Sequence, residues 1–305
     1  MKEYLLRRVG YMLIVLLGVT TVAFLLARLS GDPVALMMPE VTSAEALALL
    51  REQLGLDQPL IVQYTQFLSH AARGDFGRSY QYQRSASEVV MGTLAPTIQL
   101  AVVGLAVAVI VGMSTGVVAA VSKGTWVEAI AGSAALIGQC LPNFWLGLMM
   151  ILFFGVKLRW FPISGRGGLA HLVMPGFVVG VPFAAQIARM VRSGLLDQLG
   201  QDYVRTARAK GLHETVVVLK HALRNAAIPV VTILGLDFGR LLGGAVIAET
   251  MFAWPGMGRL AVQAVFSRDF PVVQACVFIM GLTFALVNLG VDTLYLCLDP
   301  RIRRD

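Results

Sequence analysis

Six apolar runs, each long enough to cross the hydrocarbon core of a bilayer, decide what this chain of 305 residues can fold into. They cover about 9–29, 97–121, 130–156, 171–192, 226–248 and 272–297. A spanning helix needs about 20 predominantly apolar residues, so each run is read as one membrane helix. Only 14% of residues are charged and 57% are hydrophobic, against roughly a quarter charged in a soluble domain. The expected fold is therefore an all-α polytopic membrane protein of about six transmembrane helices. The first run follows Lys2, Arg7 and Arg8 as a signal peptide would. Its length of about 20 residues and the lack of an A-x-A site make it a retained helix.

The loops between the runs differ in charge, and that difference orients the chain. Segment 30–96 carries four basic residues against seven acids, so positive charge does not hold it inside. It is expected outside, with a short helix over Ser43–Leu54 that ends at Gly55 and a role as a lid or docking platform. Segment 189–225 carries seven basic residues against three acids, and Arg301, Arg303 and Arg304 follow the last run. Both are expected in the cytoplasm, together with the N-terminus. Lys157, Arg159 and Arg166 in loop 157–170 run against the bias. An even number of spans with both ends inside still fits best. The net charge of +7 thus reports membrane topology, because a nucleic-acid face would need clustered cations on a water-soluble scaffold. Cys140, Cys276 and Cys297 all lie in apolar runs without ligand spacing, so neither a disulfide framework nor a metal site is expected. Gly104, Gly112, Gly116, Gly132, Gly138, Gly147, Gly243 and Gly244 punctuate the runs and permit close helix approach. In the turn Trp254-Pro255-Gly256, Trp suits a membrane interface and Pro-Gly suits a type II turn.

The longest internal basic loop has structure of its own. Asp202–Lys210 alternates charged and small residues at helical spacing, and Gly211 follows where a left-handed C′ residue belongs. A second helix starts at Glu214, with Val216, Val217, Leu219, Ala222 and Leu223 on an apolar side and Lys220, His221 and Arg224 on a polar one. The result is a helix-turn-helix elbow tethered between two spanning helices. Tethering argues against DNA binding, and a docking element for a soluble partner is the preferred reading.

These residues resemble the permease subunits of the dipeptide, oligopeptide and nickel ABC importers. The resemblance rests on DYVRTARAKGL (Asp202–Leu212) and LKHALRN (Leu219–Asn225), on GDP (Gly31–Pro33), LGLDQPLIVQY (Leu54–Tyr64) and GDFGRSY (Gly74–Tyr80), and on ETMFAWPGMGRL (Glu249–Leu260), RDFPVVQA (Arg268–Ala275) and NLGVDTLYLCLDPRIR (Asn288–Arg303). It implies one transmembrane domain over 1–305, with 30–96 as an external segment and 194–225 as a cytoplasmic loop similar to the EAA loop. Arg205-Thr206 stands where the wider superfamily has Glu-Ala, and His221-Ala-Leu-Arg224 where it has Ile-x-Leu-Pro. Coupling to ATP hydrolysis is then expected through Tyr203, Arg205, Thr206, Ala207, Arg208, Ala209, Lys210 and Gly211, with Ala207, Ala209 and Gly211 as a small-residue knob. The implied partners are a second homologous permease, two ATP-binding subunits, an extracytoplasmic substrate-binding protein and the lipid of a bacterial inner membrane, with no nucleic acid. ATP and magnesium would bind to the partner ATPases, and no cofactor is expected here. The chain has no Walker A loop, so no ATPase site of its own is expected.

Short peptides or a similar small polar solute are the expected cargo, with nickel, a metal chelate or glutathione as alternatives. No His lies mid-membrane, which favours a peptide or chelate over bare nickel. Asp237 and Arg240 near the middle of the fifth run, with Asn143 on the third as a possible neighbour, are candidate pathway residues. Spacing at i and i+3 lets the two charges pair. Two other classes of function fit the sequence less well. An intramembrane hydrolase would need Ser164 and His171 to meet, with a third group that the sequence does not supply. A stand-alone channel or secondary transporter would have no use for the elbow.

Overall fold

The computed structural model describes residues 2–29 and 57–298. The expected Ser43–Leu54 helix, the Gly31–Pro33 motif and the basic tail after Leu298 lie outside these residues. Twelve helices carry the described chain: α1 (Lys2–Leu29), α2 (Leu60–Ala72), α3 (Ala86–Val121), α4 (Trp126–Cys140), α5 (Asn143–Lys157), α6 (Ala170–Leu199), α7 (Asp202–Ala209), α8 (Glu214–Ala226), α9 (Ile228–Gly244), α10 (Val246–Met251), α11 (Met257–Phe266) and α12 (Phe270–Leu298). Among the described residues no strand forms, and Arg78 meets Ser85 in an isolated bridge.

Helices α1, α3, α6 and α12 are each long and apolar enough to span a membrane. The other two expected spans are bent pairs, α4–α5 at 105° and α8–α9 at 47°, so six spans result when each pair counts as one. Proline causes both bends. Leu141 and Pro142 are both extended (φ −68°, ψ 127° and φ −62°, ψ 132°), as sterics demand of a residue before proline. The run over 130–156 is thus two helices meeting at a corner, not one straight span. In α9, Pro229 sits in the first turn, and its missing N–H leaves the carbonyl four residues back without its helical bond.

The chain divides into two compact units. Met1–Pro96 and Pro255–Leu289 form the first. Its core joins Ala71 and Phe76 to Ala86 and Val90 of α3 and to Met257, Leu260, Val272 and Ala275 of α11 and α12. Rings knit it further. Phe24 stacks on Phe67 at 5.4 Å, and Phe76 lies 5.2 Å from Phe278, contacts worth about 0.5–1.5 kcal/mol each beyond their buried area. The loop from Gly74 to Ser85 is fastened by the buried Asp269, which accepts from Ser79 Oγ at 2.5 Å and from the backbone N–H groups of Tyr80 and Gln81 at 3.2 Å each. Burial, reinforced by the nearby Asp269 charge, pushes the Tyr80 hydroxyl up to about 12.

Thr97–Trp254 and Gly290–Asp305 form the second unit. Helices α3 and α6 cross there at contact distance. A Cβ on Gly112 would stand 2.7 Å from the Ala184 carbonyl oxygen, and one on Gly116 would stand 2.7 Å from that of Ala188. Only glycine fits these two positions, which is how small residues let helices associate in lipid. Gly132 and Gly243, expected to act similarly, face open space. Helix α4 docks on α6 through the Glu128–Arg192 ion pair and a hydrogen bond from Arg189 to Gln139. Trp254 is fully buried, with the Arg166 guanidinium 5.9 Å from its ring centre, so its ring meets protein and not solvent or lipid. Gly256 has φ −96° and caps α11, and the left-handed residue is Ala253 at φ 49°. The expected type II turn at Pro255-Gly256 is therefore absent.

Candidate functional site

The elbow between α6 and α8 carries most of the predicted site residues. Gly200 closes α6, Gln201 swings extended (φ −78°, ψ 152°), and α7 starts at Asp202. One face of α7 turns inward. Val204 and Ala207 pack with Leu195, Val217, Val218, Ala222 and Ala226 in one apolar cluster. Ala207, read from sequence as part of an outward knob, is only 6% exposed and braces the elbow from beneath. Tyr203, Arg205, Thr206, Arg208, Ala209, Lys210 and Gly211 all lie on the exposed side.

Gly211 adopts φ +76°, as its position after the helix predicts. Its N–H donates to the Arg208 carbonyl at 2.9 Å, and the Leu212 N–H donates to that of Ala207 at 3.4 Å. This pair of bonds is a Schellman closure, which satisfies the last carbonyls of α7 and aims the chain back. Arg208 then straddles the turn. Its Nε and Nη2 donate to the two oxygens of Glu214 at 3.1 and 2.7 Å. The fork holds the Glu214 carboxyl below its ordinary range and the Arg208 guanidinium above its own. Tyr203 adds a strut, donating to Gln198 at 2.7 Å and accepting from Asn225 Nδ2 at 3.1 Å. His213 caps α8 by accepting from the Thr215 N–H at 3.3 Å.

Helix α8 presents a different side from the one predicted. Val217, Val218, Ala222 and Ala226 are buried, while Val216 and Leu219 are exposed. A π-helical stretch over Val217–Ala222 shifts the faces from ordinary helical spacing. The elbow therefore leaves the apolar side chains of Tyr203, Leu212, Val216 and Leu219 exposed, together with the cations Arg205, Lys210 and Lys220.

The candidate pathway residues separate. Asp237 is 0% exposed and Arg240 63% exposed, with Arg240 Nη1 3.4 Å from Asp237 Oδ1. Asp237 Oδ2 is buried and has no hydrogen-bond partner. Asn143 begins α5 at the proline corner and is half-buried, and among the described residues it bonds to neither charge. His171 Nδ1 also lacks a partner, and among the described residues no hydrogen bond joins His171 to Ser164. Sequence reasoning missed the Asp269 latch and the bond from Thr97 Oγ1 to the buried Glu249 at 2.7 Å. Ser79–Asp269 and Thr97–Glu249 are 190 and 152 residues apart. No local pattern could reveal them, although buried acids beside RDFP and AETMF were the available clue.

Four long apolar helices and two bent apolar pairs, with an exposed elbow between α6 and α9, make the architecture of a polytopic helical membrane protein. The chain belongs to the family described as binding-protein-dependent transport system inner membrane component: that family's model matches residues 112–304, and its N-terminal companion matches residues 1–101. It is thus an ABC-importer permease. Over 304 residues, 99% of each chain, it is 44% identical to the glutathione transport system permease protein GsiC of Salmonella typhimurium (strain LT2) and 42% identical to that of Escherichia coli (strain K12). The fold matches an inward-facing structure of the MetNI methionine ABC transporter with TM-score 0.54 and 19% identity, covering 69% of this chain and 96% of that one. An amino acid ABC transporter solved with histidines matches with TM-score 0.50 and 18% identity, over 68% and 94% of the two chains.

Proposed function

We propose that this permease forms one half of the pathway through which short peptides or glutathione-like solutes enter the cytoplasm, and that the elbow couples that pathway to partner ATPases. The observation that carries the proposal is the elbow itself. An eight-residue helix, closed at Gly211 and clamped by Arg208–Glu214, projects exposed apolar and cationic side chains from a well-packed base. Such an element moves as a solid piece. A partner that closes on ATP can push it and transmit the displacement through α6 and α8 into the bundle.

The remaining assignments follow from this orientation. Both termini and segment 194–225 lie in the cytoplasm, and segment 30–96 faces outward, where its acid excess and the Asp269-fastened loop form part of a platform for a substrate-binding protein. A second permease completes the pathway, and Asn143, Asp237 and Arg240 are its candidate lining residues on this side. Hydrolysis belongs to two ATP-binding subunits. The cargo assignment is supported by the 44% identity to a glutathione permease along the whole chain. Reconstitution with the cognate subunits and binding protein tests it: ATP-dependent uptake of glutathione, competed by short peptides, is expected. Uptake of a metal chelate that neither glutathione nor peptides compete would refute the assignment.

A further inference from the structure

Helix α9 carries an exposed cation where lipid cannot be its neighbour. At about 1.5 Å per residue, Arg240 lies about 18 Å from Ile228 at the start of the helix, deep in a core about 30 Å thick. An arginine at that depth costs at least about 2.5–3.5 kcal/mol when it faces acyl chains. Its face must therefore meet protein or water. The same face carries Leu236, which is exposed, and Gly243, beside which a Cβ would find nothing within 4 Å. Arg240 thus stands next to open space as the charged member of the stripe.

The pair with Asp237 is lopsided. A guanidinium has five N–H donors, and a single contact at 3.4 Å, the long limit of a hydrogen bond, joins it to Asp237. The carboxylate is wholly buried, so a passing solute meets the cation and not the acid. Asp237 acts as a positioning residue. It holds the guanidinium by one edge and leaves the rest of the fork free, the arrangement that binds carboxylate bidentately.

The geometry points to Arg240 as a one-point anion site in the translocation pathway, which takes a carboxylate of the solute, while Asp237, the acid beside it, is buried and does not meet the solute's ammonium. The inference rests on the pathway reading above and deepens it: the cargo is selected for a free carboxylate. A permanent ion pair with an acid on the second permease is the competing arrangement.

The test uses the assembled transporter, with Cys140, Cys276 and Cys297 replaced by alanine and a reporter Gly243→Cys one turn from Arg240. Anionic sulfonatoethyl and cationic trimethylammonioethyl methanethiosulfonates are compared, each normalised to its rate with a small thiol in solution. At a separation of about 6 Å in water, removal of one charge shifts the ratio for oppositely charged reagents by about tenfold. With Arg240 present the anionic reagent is favoured, and Arg240→Gln should abolish that preference. In the native-cysteine complex, Arg240→Gln should lower glutathione uptake at least about tenfold, and Arg240→Lys should recover most of it. No labelling of Gly243→Cys means the second permease seals this face, and it overturns the inference. So does a ratio that Arg240→Gln leaves unchanged, or undiminished uptake by Arg240→Gln. If the parent complex takes up no glutathione, the cargo reading fails, while the labelling ratio still decides the anion site.

Discussion

Gly211→Ala tests whether backbone conformation, and not mere smallness, makes the elbow work. At φ +76° an L-residue other than glycine is strained, by about 1–2 kcal/mol for a residue with a Cβ in the left-handed region. Sterics add nothing, because a Cβ at Gly211 meets no atom within 4 Å. The whole penalty therefore falls on the Schellman closure and on the direction in which Leu212 and α8 leave it. If the elbow must hold this shape to couple, 1–2 kcal/mol corresponds to a loss of about 5–30-fold in the competent population. Asparagine tolerates the left-handed region far better. In the reconstituted transporter, ATP hydrolysis stimulated by liganded binding protein should fall about 5–30-fold in Gly211→Ala and stay near the parent in Gly211→Asn. Co-elution of the subunits should be unchanged in both. Equal impairment of the two variants would show that space at the partner surface matters and not φ, and full activity in both would refute the role of the turn.

Three further outcomes are expected. The exposed Arg208–Glu214 fork should show a coupling energy of about 0.2–1 kcal/mol in a double-mutant cycle to alanine; because the folded pKa of Glu214 is depressed, that contribution is present above the unfolded value of about 4.3 and disappears as pH falls through the folded one, so a fork equally strong at pH 3 and pH 7 would contradict it. Asp269→Ala strands the Ser79 hydroxyl and two backbone N–H groups, each worth about 1–3 kcal/mol when left unmade, and should speed tryptic cleavage at the exposed Arg78 and Arg84 while Asp269→Asn does so less; equal cleavage in all three would sink the latch. Because Tyr80 is partly buried and Gln81 exposed, Gln81→Cys in the cysteine-free chain should react with an impermeant reagent on intact cells, whereas labelling only after lysis would invert the proposed topology.

Much of the fold was legible because lipid allows few solutions. Apolar length found the spans, and the charge alternation before Gly211 found the elbow and its left-handed turn. The bends were less visible: Pro142 and Pro229 each sit inside an apolar run, and hydropathy averages over them although sterics do not. Helix α2 went unpredicted, since Leu60, Ile61 and Val62 at its start are exposed and its apolar residues make no run of spanning length. Ala207 shows a different limit. In an eight-residue helix with small residues on several faces, composition does not say which alanine points in, and only the neighbouring cluster of Leu195 and Val217 settles it. The Asp237–Arg240 pair was legible from its spacing, yet which partner is buried depends on helices far away in sequence. The complete burial of Trp254 was not legible either, since residue type alone does not say that protein encloses the ring.

The central claim is that the outward face of α7 and its turn seats on an ATPase subunit. A photoreactive amino acid introduced singly at Arg205, Lys210 or Ala207 in the assembled transporter tests it most directly. Arg205 and Lys210 point outward and should each cross-link to an ATP-binding subunit. Ala207 packs inward against Val217 and Val218 and should cross-link only within its own chain. Cross-linking to the ATPase from Ala207, or its absence from both Arg205 and Lys210, would contradict the account.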